Sequence, residues 1–412
     1  MNQPPSTVER LAFTDEDLGE IPTPRGRLQI RSSFGSGLAR RAHDPEGRIW
    51  AVGDRGPNLK VKDAVKLYGL DHLEPLKAQS GAKIMPRPDL GPAIAELQVT
   101  GDRVEILRTI RLTGPGGAPV SGLPVPATGH DRTEPVFDLA GHPLPPDWGG
   151  LDSEGIAALD DGGFWIGDEF GPSLVQVDAD GRILVRLVPQ GVRLEAPYPV
   201  EARLPAIAAR RQLNRGFEAL TLSGNGRWLF LAFQSPLAHP DEPAHEAASH
   251  VRLWRLDAQT GAVAAQYLYP LDPPESFERD WKKGDFAKSD IKVSEIVWAG
   301  QDSLLVLERG SLTTKITRTR LSAPFELPPE HLDFATRPSV EELSGAGGTF
   351  PLPVLPKQLL FTTDQTVGVA PDLEGMAILS PHELLLVNDN DFGVEGAETS
   401  FWRVRFEEPV LA

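Results

Sequence analysis

The chain repeats one local pattern. A short apolar run is followed by a polar turn and then by a second apolar run. The clearest copy is Leu151 to Pro172, LDSEGIAALDDGGFWIGDEFGP, with its turn at Asp160-Asp161-Gly162-Gly163. Further copies run from Arg215 to Leu231, from Val293 to Gly310 and from Asp372 to Asp391. A degenerate copy, Ser36 to Asp54, has no carboxylate where the others carry Glu. Two apolar runs around a polar turn predict an antiparallel hairpin. Hairpins recurring along a chain with few helical patterns predict an all-β β-propeller.

Five blades can be counted, with room for a sixth in the long excursions. Outer strands are expected at 94–99 and 104–112, 174–177 and 183–188, 251–256 and 263–269, and 314–321 with 359–363. Strands at 8–14 or 27–32 can pair with the C-terminal run Phe401 to Phe406 and so close the ring, which removes exposed sheet edges. The expectation is one propeller domain over residues 1–412. Its loop insertions fall at about 55–91, 113–150, 191–214, 270–290 and 322–356, with a short helix near 204–211.

Composition fits this architecture. The 412 residues are 40% hydrophobic, and 40 Gly and 39 Pro supply many turns. The formal charge of −17 argues against nucleic acid or an anionic membrane as partner. With 0 Cys, disulfides and thiolate metal sites are excluded. The N-terminus, MNQPPSTVERLAF, lacks the basic start and apolar core of a signal peptide. A cytoplasmic location is the simplest expectation, and a periplasmic or secreted one follows if an export signal has been removed. Oligomeric state is not legible.

The repeat places Glu154, Glu218, Glu295 and Glu374 at the start of a first strand. Glu154 precedes Asp168 by the same 14 positions that separate Glu374 from Asn388. First strands line a propeller's axis, so the four glutamates are expected to converge. Clustered carboxylates need a cation, basic neighbours or protons. An oxygen-only set suits Ca²⁺, with Mg²⁺ or Mn²⁺ as lesser options. The alternative is that they accept structural hydrogen bonds or pair with arginines. Asp54, Asp168, Glu169, Glu308, Asn388, Asp389 and Asp391 end second strands on the same rim, either as ligands or as turn-formers. Arg55, Arg215 and Arg309 stand near motif ends and suit an anionic group. Lys315 and Lys357 read as solvated. His130, beside Asp131, is either a general base or simply exposed. No Gly-x-Ser-x-Gly elbow and no nucleotide-binding glycine fingerprint is present.

The segments LDSEGIA, FWIGDEFGPSL, LPAIAARRQLNRGFEALTLS, LLVLERG, DLEGMAIL and LLLVNDNDFG, with a weaker match at IWAVGDRGPN, resemble the phytase-like family with esterase-like activity. The resemblance implies a β-propeller and a hydrolase of bacterial type. The DDPAIW-like and NNVDIRY-like stretches of classical β-propeller phytases are absent, which separates the chain from those enzymes.

Together these features predict a metal-dependent hydrolase of phosphoester or ester substrates. Its expected ligands are Glu154, Glu218, Glu295, Glu374, Glu169 and Asn388. Asp168 or Asp389 is the expected base, and Arg215 and Arg309 the expected anion holders. The rivals are a non-enzymatic ligand- or protein-binding propeller and a calcium-dependent lactonase.

Overall fold

The computed structural model describes residues 7–127, 133–347 and 349–411. Each predicted hairpin grows outward by further antiparallel strands, joined by short polar turns or across the long insertions. The first sheet holds Gly37–Ala39, Arg48–Gly53, Ala93–Thr100 and Arg103–Arg111. The second holds Ser153–Ala158, Phe164–Asp168, Ser173–Val177 and Ile183–Pro189, plus Val200–Leu204, which runs parallel to its neighbour. The third holds Phe217–Leu222, Trp228–Phe233, His250–Asp257 and Val263–Pro270. The fourth holds Lys292–Gly300, Ser303–Arg309, Thr314–Arg320 and Gln358–Thr362.

The fifth sheet joins the two ends of the chain. Leu373–Ser380, Glu383–Asn388 and Phe401–Arg405 are followed by Thr7–Leu11, with Val8 opposite Val404. The other early strand, Gly26–Arg31, pairs instead with Asp17–Thr23. The first strand of each sheet packs on that of the next, and the fifth packs on the first, so the contacts return to their start. The arrangement is all-β and propeller-like. No helix among the described residues is long and apolar enough to cross a membrane.

The core lies between neighbouring sheets, where alternate strand residues face one another. Trp50, Val52 and Ile94 of the first sheet meet Ile156, Phe164 and Ile166 of the second. Trp165 of the second donates its indole N–H to the Ala258 carbonyl of the third at 3.0 Å. Phe230 of the third stacks on Trp298 of the fourth, centroids 5.4 Å apart.

Segments read as loops carry regular structure of their own, among them Glu278–Lys283 and Val340–Gly345, which are short helices. Residues 55–91 form strands Leu59–Lys60 and Lys83–Ile84 and the helix Val61–Tyr68. They share a core with Leu28, Ile30, Phe137, Phe392 and Val394. Residues 191–214 supply the fifth strand of the second sheet, and the expected short helix is a 3₁₀ turn, Ala206–Arg210. Two cavities occupy opposite ends of the ring of first strands. One, of about 270 Å³, is lined by residues at the strand starts, and one, of about 520 Å³, by residues toward the strand ends.

The ring leaves no room for side chains at some positions. A Cβ on Gly155 would lie 2.0 Å from the Glu218 carbonyl oxygen of the next first strand. Gly155→Ala is therefore expected to lose at least about 1–3 kcal/mol of stability by forcing neighbouring strands apart. The urea midpoint measures this, and an unchanged midpoint would contradict the packing described.

Candidate functional site

Each of the last four sheets breaks register at the start of its first strand. The residue skipped against the second strand is Glu154 in the second sheet, Glu218 in the third and Glu374 in the fifth. Such a bulge leaves one residue unpaired and re-aims its side chain. All three glutamates line the 270 Å³ cavity. Carboxylate oxygens of Glu154, Glu218 and Glu374 lie within 4.8 Å of one another.

The fourth sheet corrects the sequence reading. Its skipped residue is Ser294, and Glu295 pairs with Leu307, at the level held elsewhere by Gly155, Ala219 and Gly375. Glu295 is fully buried and reaches across the ring. Its Oε2 accepts from Leu38 N at 2.9 Å, and its Oε1 from Ile296 N at 3.1 Å. A Cβ on Gly37, in the same strand as Leu38, would lie 2.8 Å from the Glu154 carbonyl oxygen, so glycine is what lets the first and second sheets' first strands approach here. Burial pushes the Glu295 carboxyl well above its usual range. Glu295 is thus a structural acceptor beneath the cavity, and not one of its ligands.

Second strands follow an equally simple rule. Asp54, Glu169, Gln234 and Asp389 each directly follow a second strand, and Arg309 ends one. All five line the cavity. The residue before each points the other way, as strand alternation requires. Asp168, expected as a base, faces a buried pocket. It accepts from Arg186 at 2.6 Å, Ser173 at 2.7 Å and Asp152 N at 3.0 Å, so its oxygens are occupied. Asn388, expected as a ligand, is likewise occupied. Its Oδ1 accepts from Ser400 N at 2.7 Å and its amide donates to the Asp389 and Glu398 carbonyls. Glu308 turns away too, binding Tyr269, Lys357 and the Asp272 N–H. Lys357 and Lys315, read as solvated, instead share Asp272, each at 2.7 Å.

The arginines are also reassigned. Arg309 donates to Glu374, to Asp372 at 2.6 Å and to Ser294 at 2.8 Å. It braces the acidic wall and has little capacity left for an incoming anion. Arg215 does not line the cavity, although its Nη1 is buried without a partner. Arg55 is paired with Glu134 and with Asp152, the latter at 3.0 Å. His130 and Asp131 lie outside the described residues.

The cavity brings together Asp54, Glu154, Glu169, Glu218, Asp372, Glu374, Asp389, Asp391 and Glu395. Five basic groups face them: Arg55, Lys60, Lys83, Lys292 and Arg309. Asp54 belongs to two further carboxylate groups, one with Asp152 and Glu154 and one with Asp389 and Asp391, each within 4.8 Å. Burial pushes the Asp152 carboxyl up to about 8, against the pull of Arg55. Burial and Asp391 push Asp389 up to about 7. Burial also raises Glu154, Glu218 and Glu374. Two buried acceptors, Glu218 Oε2 and Gln234 Oε1, have no hydrogen-bond partner among the described residues. Oxygens this close, with acceptors left open, fit a divalent cation.

Several residues of the cavity and of the carboxylate groups behind it escaped sequence reasoning. Asp152 sits inside the stretch that drew attention. Lys292 immediately precedes the fourth sheet's bulge, and Gln234 takes the place held by Glu169 in the second sheet. Lys60 and Lys83 come from the segment read as a loop. Burial pulls the Lys292 ammonium down to about 8.

A model of the phytase-like family, described as "esterase-like activity of phytase", matches residues 33–392, and the chain belongs to that family. An uncharacterized secreted protein of Arthroderma benhamiae is 28% identical over 65% of this chain. The chain spans 55% of that relative's length. Among solved structures, the Cps50 (Swd1) β-propeller domain of Myceliophteria thermophila is 10% identical with a TM-score of 0.33, covering 94% of this chain and 99% of that one. Virginiamycin B lyase of Staphylococcus aureus is 10% identical with a TM-score of 0.34, covering 97% and 99%.

Asp168→Ala strands the buried Arg186 guanidinium and is expected to cost roughly 3–5 kcal/mol. Cation binding in the cavity should be retained below the unfolding transition. Glu295→Gln should lose less than Glu295→Ala, because its amide oxygen can still accept from Leu38 N while its amide nitrogen leaves Ile296 N–H without an acceptor; Glu295→Ala should lose about 1–3 kcal/mol by leaving both N–H groups without one. Urea titrations and calcium calorimetry check both. Lost calcium binding in folded Asp168→Ala would return Asp168 to the site.

Proposed function

We propose that the protein is a five-bladed β-propeller, one domain closed by its paired N- and C-terminal strands, and a calcium-dependent hydrolase of phosphoester or ester substrates. The observation that carries this reading is the linked carboxylate set. Asp54 and Glu154 each belong to two of its three groups, in a cavity with buried acceptors left open. Glu154, Glu218 and Glu374, with Asp54 and Asp152, would hold the cation. Glu169 stands on the same wall as a further oxygen donor. Calcium suits a site of many oxygens, and Mg²⁺ or Mn²⁺ would demand fewer and stricter ones. When bound, such a cation polarises an ester oxygen and acidifies an attacking water.

The chain's own groups complete the chemistry. Asp389, held by the Ser33 hydroxyl, is placed to take the proton of the attacking water. Lys292 lines the same cavity and can meet negative charge that develops on the substrate. Arg309 keeps Asp372 and Glu374 in position. The fungal relative's description as secreted is compatible with a calcium site of extracellular affinity.

Metal analysis of the purified protein, followed by p-nitrophenyl phosphate and acyl esters with and without chelator, tests the reading. Turnover should need the cation, and Glu154→Gln or Glu218→Gln should weaken calcium binding by at least ~10-fold. Lactone hydrolysis without phosphatase activity would move the substrate to lactones. A cation-free protein inert toward all three classes would sink the proposal.

The raised carboxyls also set a pH dependence without cation. Asp152 at about 8 and Asp389 at about 7 stand above the ordinary range of ~4. The folded chain then holds more protons than the unfolded chain, so stability falls as pH rises through 7–8. In chelator, Tm should drop between pH ~5.5 and ~8.5, and added calcium should raise it most at the alkaline end. Thermal scans across pH measure this, and a Tm that rises with pH in chelator would contradict it.

A further inference from the structure

The insertion that follows the first hairpin carries charges its own fold does not explain. Leu59–Lys60 and Lys83–Ile84 pair antiparallel, with Leu59 opposite Ile84 and Lys60 opposite Lys83. Leu59 and Ile84 are fully buried with Val61, Ala64, Leu73 and Phe137, which fixes the ribbon. The other rung sets two ammonium side chains side by side. Like charges directly opposite destabilise a strand pair. Neither lysine forms an ion pair among the described residues. Among the described residues Lys83 Nζ donates to Asn58 Oδ1 alone, at 3.1 Å. Burial and the nearby Arg55 pull its ammonium below the usual lysine value, so positive charge there lacks full compensation.

Lys60, Lys83 and Asn58 all line the cavity that holds the carboxylate groups. They belong to the insertion and Glu154, Glu218 and Glu374 to the ring, so the basic wall is built by a different segment from the acidic floor, with Asp391 near enough to feel both lysines. An oxyanion between the two ammoniums would relieve their repulsion and use the Asn58 amide as a further donor.

We propose that Lys60, Lys83 and Asn58 form an oxyanion subsite that holds a charged group of the substrate, phosphate or carboxylate, away from the bond broken at the carboxylate floor. This rests on the cavity being the substrate site, as proposed above. The subsite selects substrates that carry an anion besides the reacting ester.

The test uses the full chain and no turnover. Calorimetric titrations with inorganic phosphate and with malonate are run with and without calcium, on wild type, Lys60→Met, Lys83→Met, the double variant and Lys83→Arg. Lys62→Met, an exposed lysine of the adjoining helix, is the control. Wild type should bind at least one of the two anions. Each methionine variant should weaken binding by roughly ten-fold and the double variant should abolish it, while Lys83→Arg and Lys62→Met stay near wild type. Unchanged calcium affinity and Tm in the variants show that the fold is kept. Preference for phosphate assigns phosphorylated substrates, and preference for malonate assigns carboxylated ones. No heat from either anion in wild type, or equal binding by the double variant, would overturn the subsite. Absent calcium binding beside intact anion binding would sink the hydrolase reading and leave the subsite standing.

Discussion

Where a strand skips one residue against its partner, the parity of its side chains reverses. The meeting of the three first-strand glutamates depends on that skip. With the skipped position occupied by glutamate in three sheets, three carboxylates leave their strands at the same level and meet. The fourth sheet skips at Ser294, so its glutamate falls one level lower and becomes part of the scaffold. The position of the bulge relative to the glutamate is therefore what separates a carboxylate in the cavity from a buried hydrogen-bond acceptor.

That dependence explains what could be read in the sequence. The hairpins, the outer strands and the pairing of the two chain ends follow from local apolar patterning, which strands express directly. Glu154, Glu218 and Glu374 were legible because their bulges coincide with the repeat. Glu295 was misplaced because its Ser-Glu matches Ser153-Glu154 letter for letter, while its strand pairs one residue out of step. Asp168 and Asn388 were read into the site together with their neighbours Glu169 and Asp389, because period-2 parity at a strand end cannot be fixed without the register. The basic wall was missed because Lys83 pairs with Val136, far along the chain, through strands only two residues long.

Two kinds of buried charge coexist here. Arg186 with Asp168 and Arg252 with Glu341 are closed pairs, matched one to one and shielded from solvent. The cavity is different, because nine carboxylates face five basic groups. Burial raises several of those carboxyls, so the fold tolerates their proximity only with protons or a cation present. Arg309 and Arg55 anchor the two sides of this assembly without neutralising it. The excess of negative charge is the physical reason for looking to a divalent ion.

The side chain of Glu295 crosses the middle of the ring and ends on the backbone of the first sheet. It stands between the hollow at the strand starts and the larger hollow at the strand ends. The two hollows have no lining residue in common, so the acidic one has the form of a well and not of one end of a tunnel. A guest held in such a well would leave by the doorway it entered, and release of one would precede admission of the next.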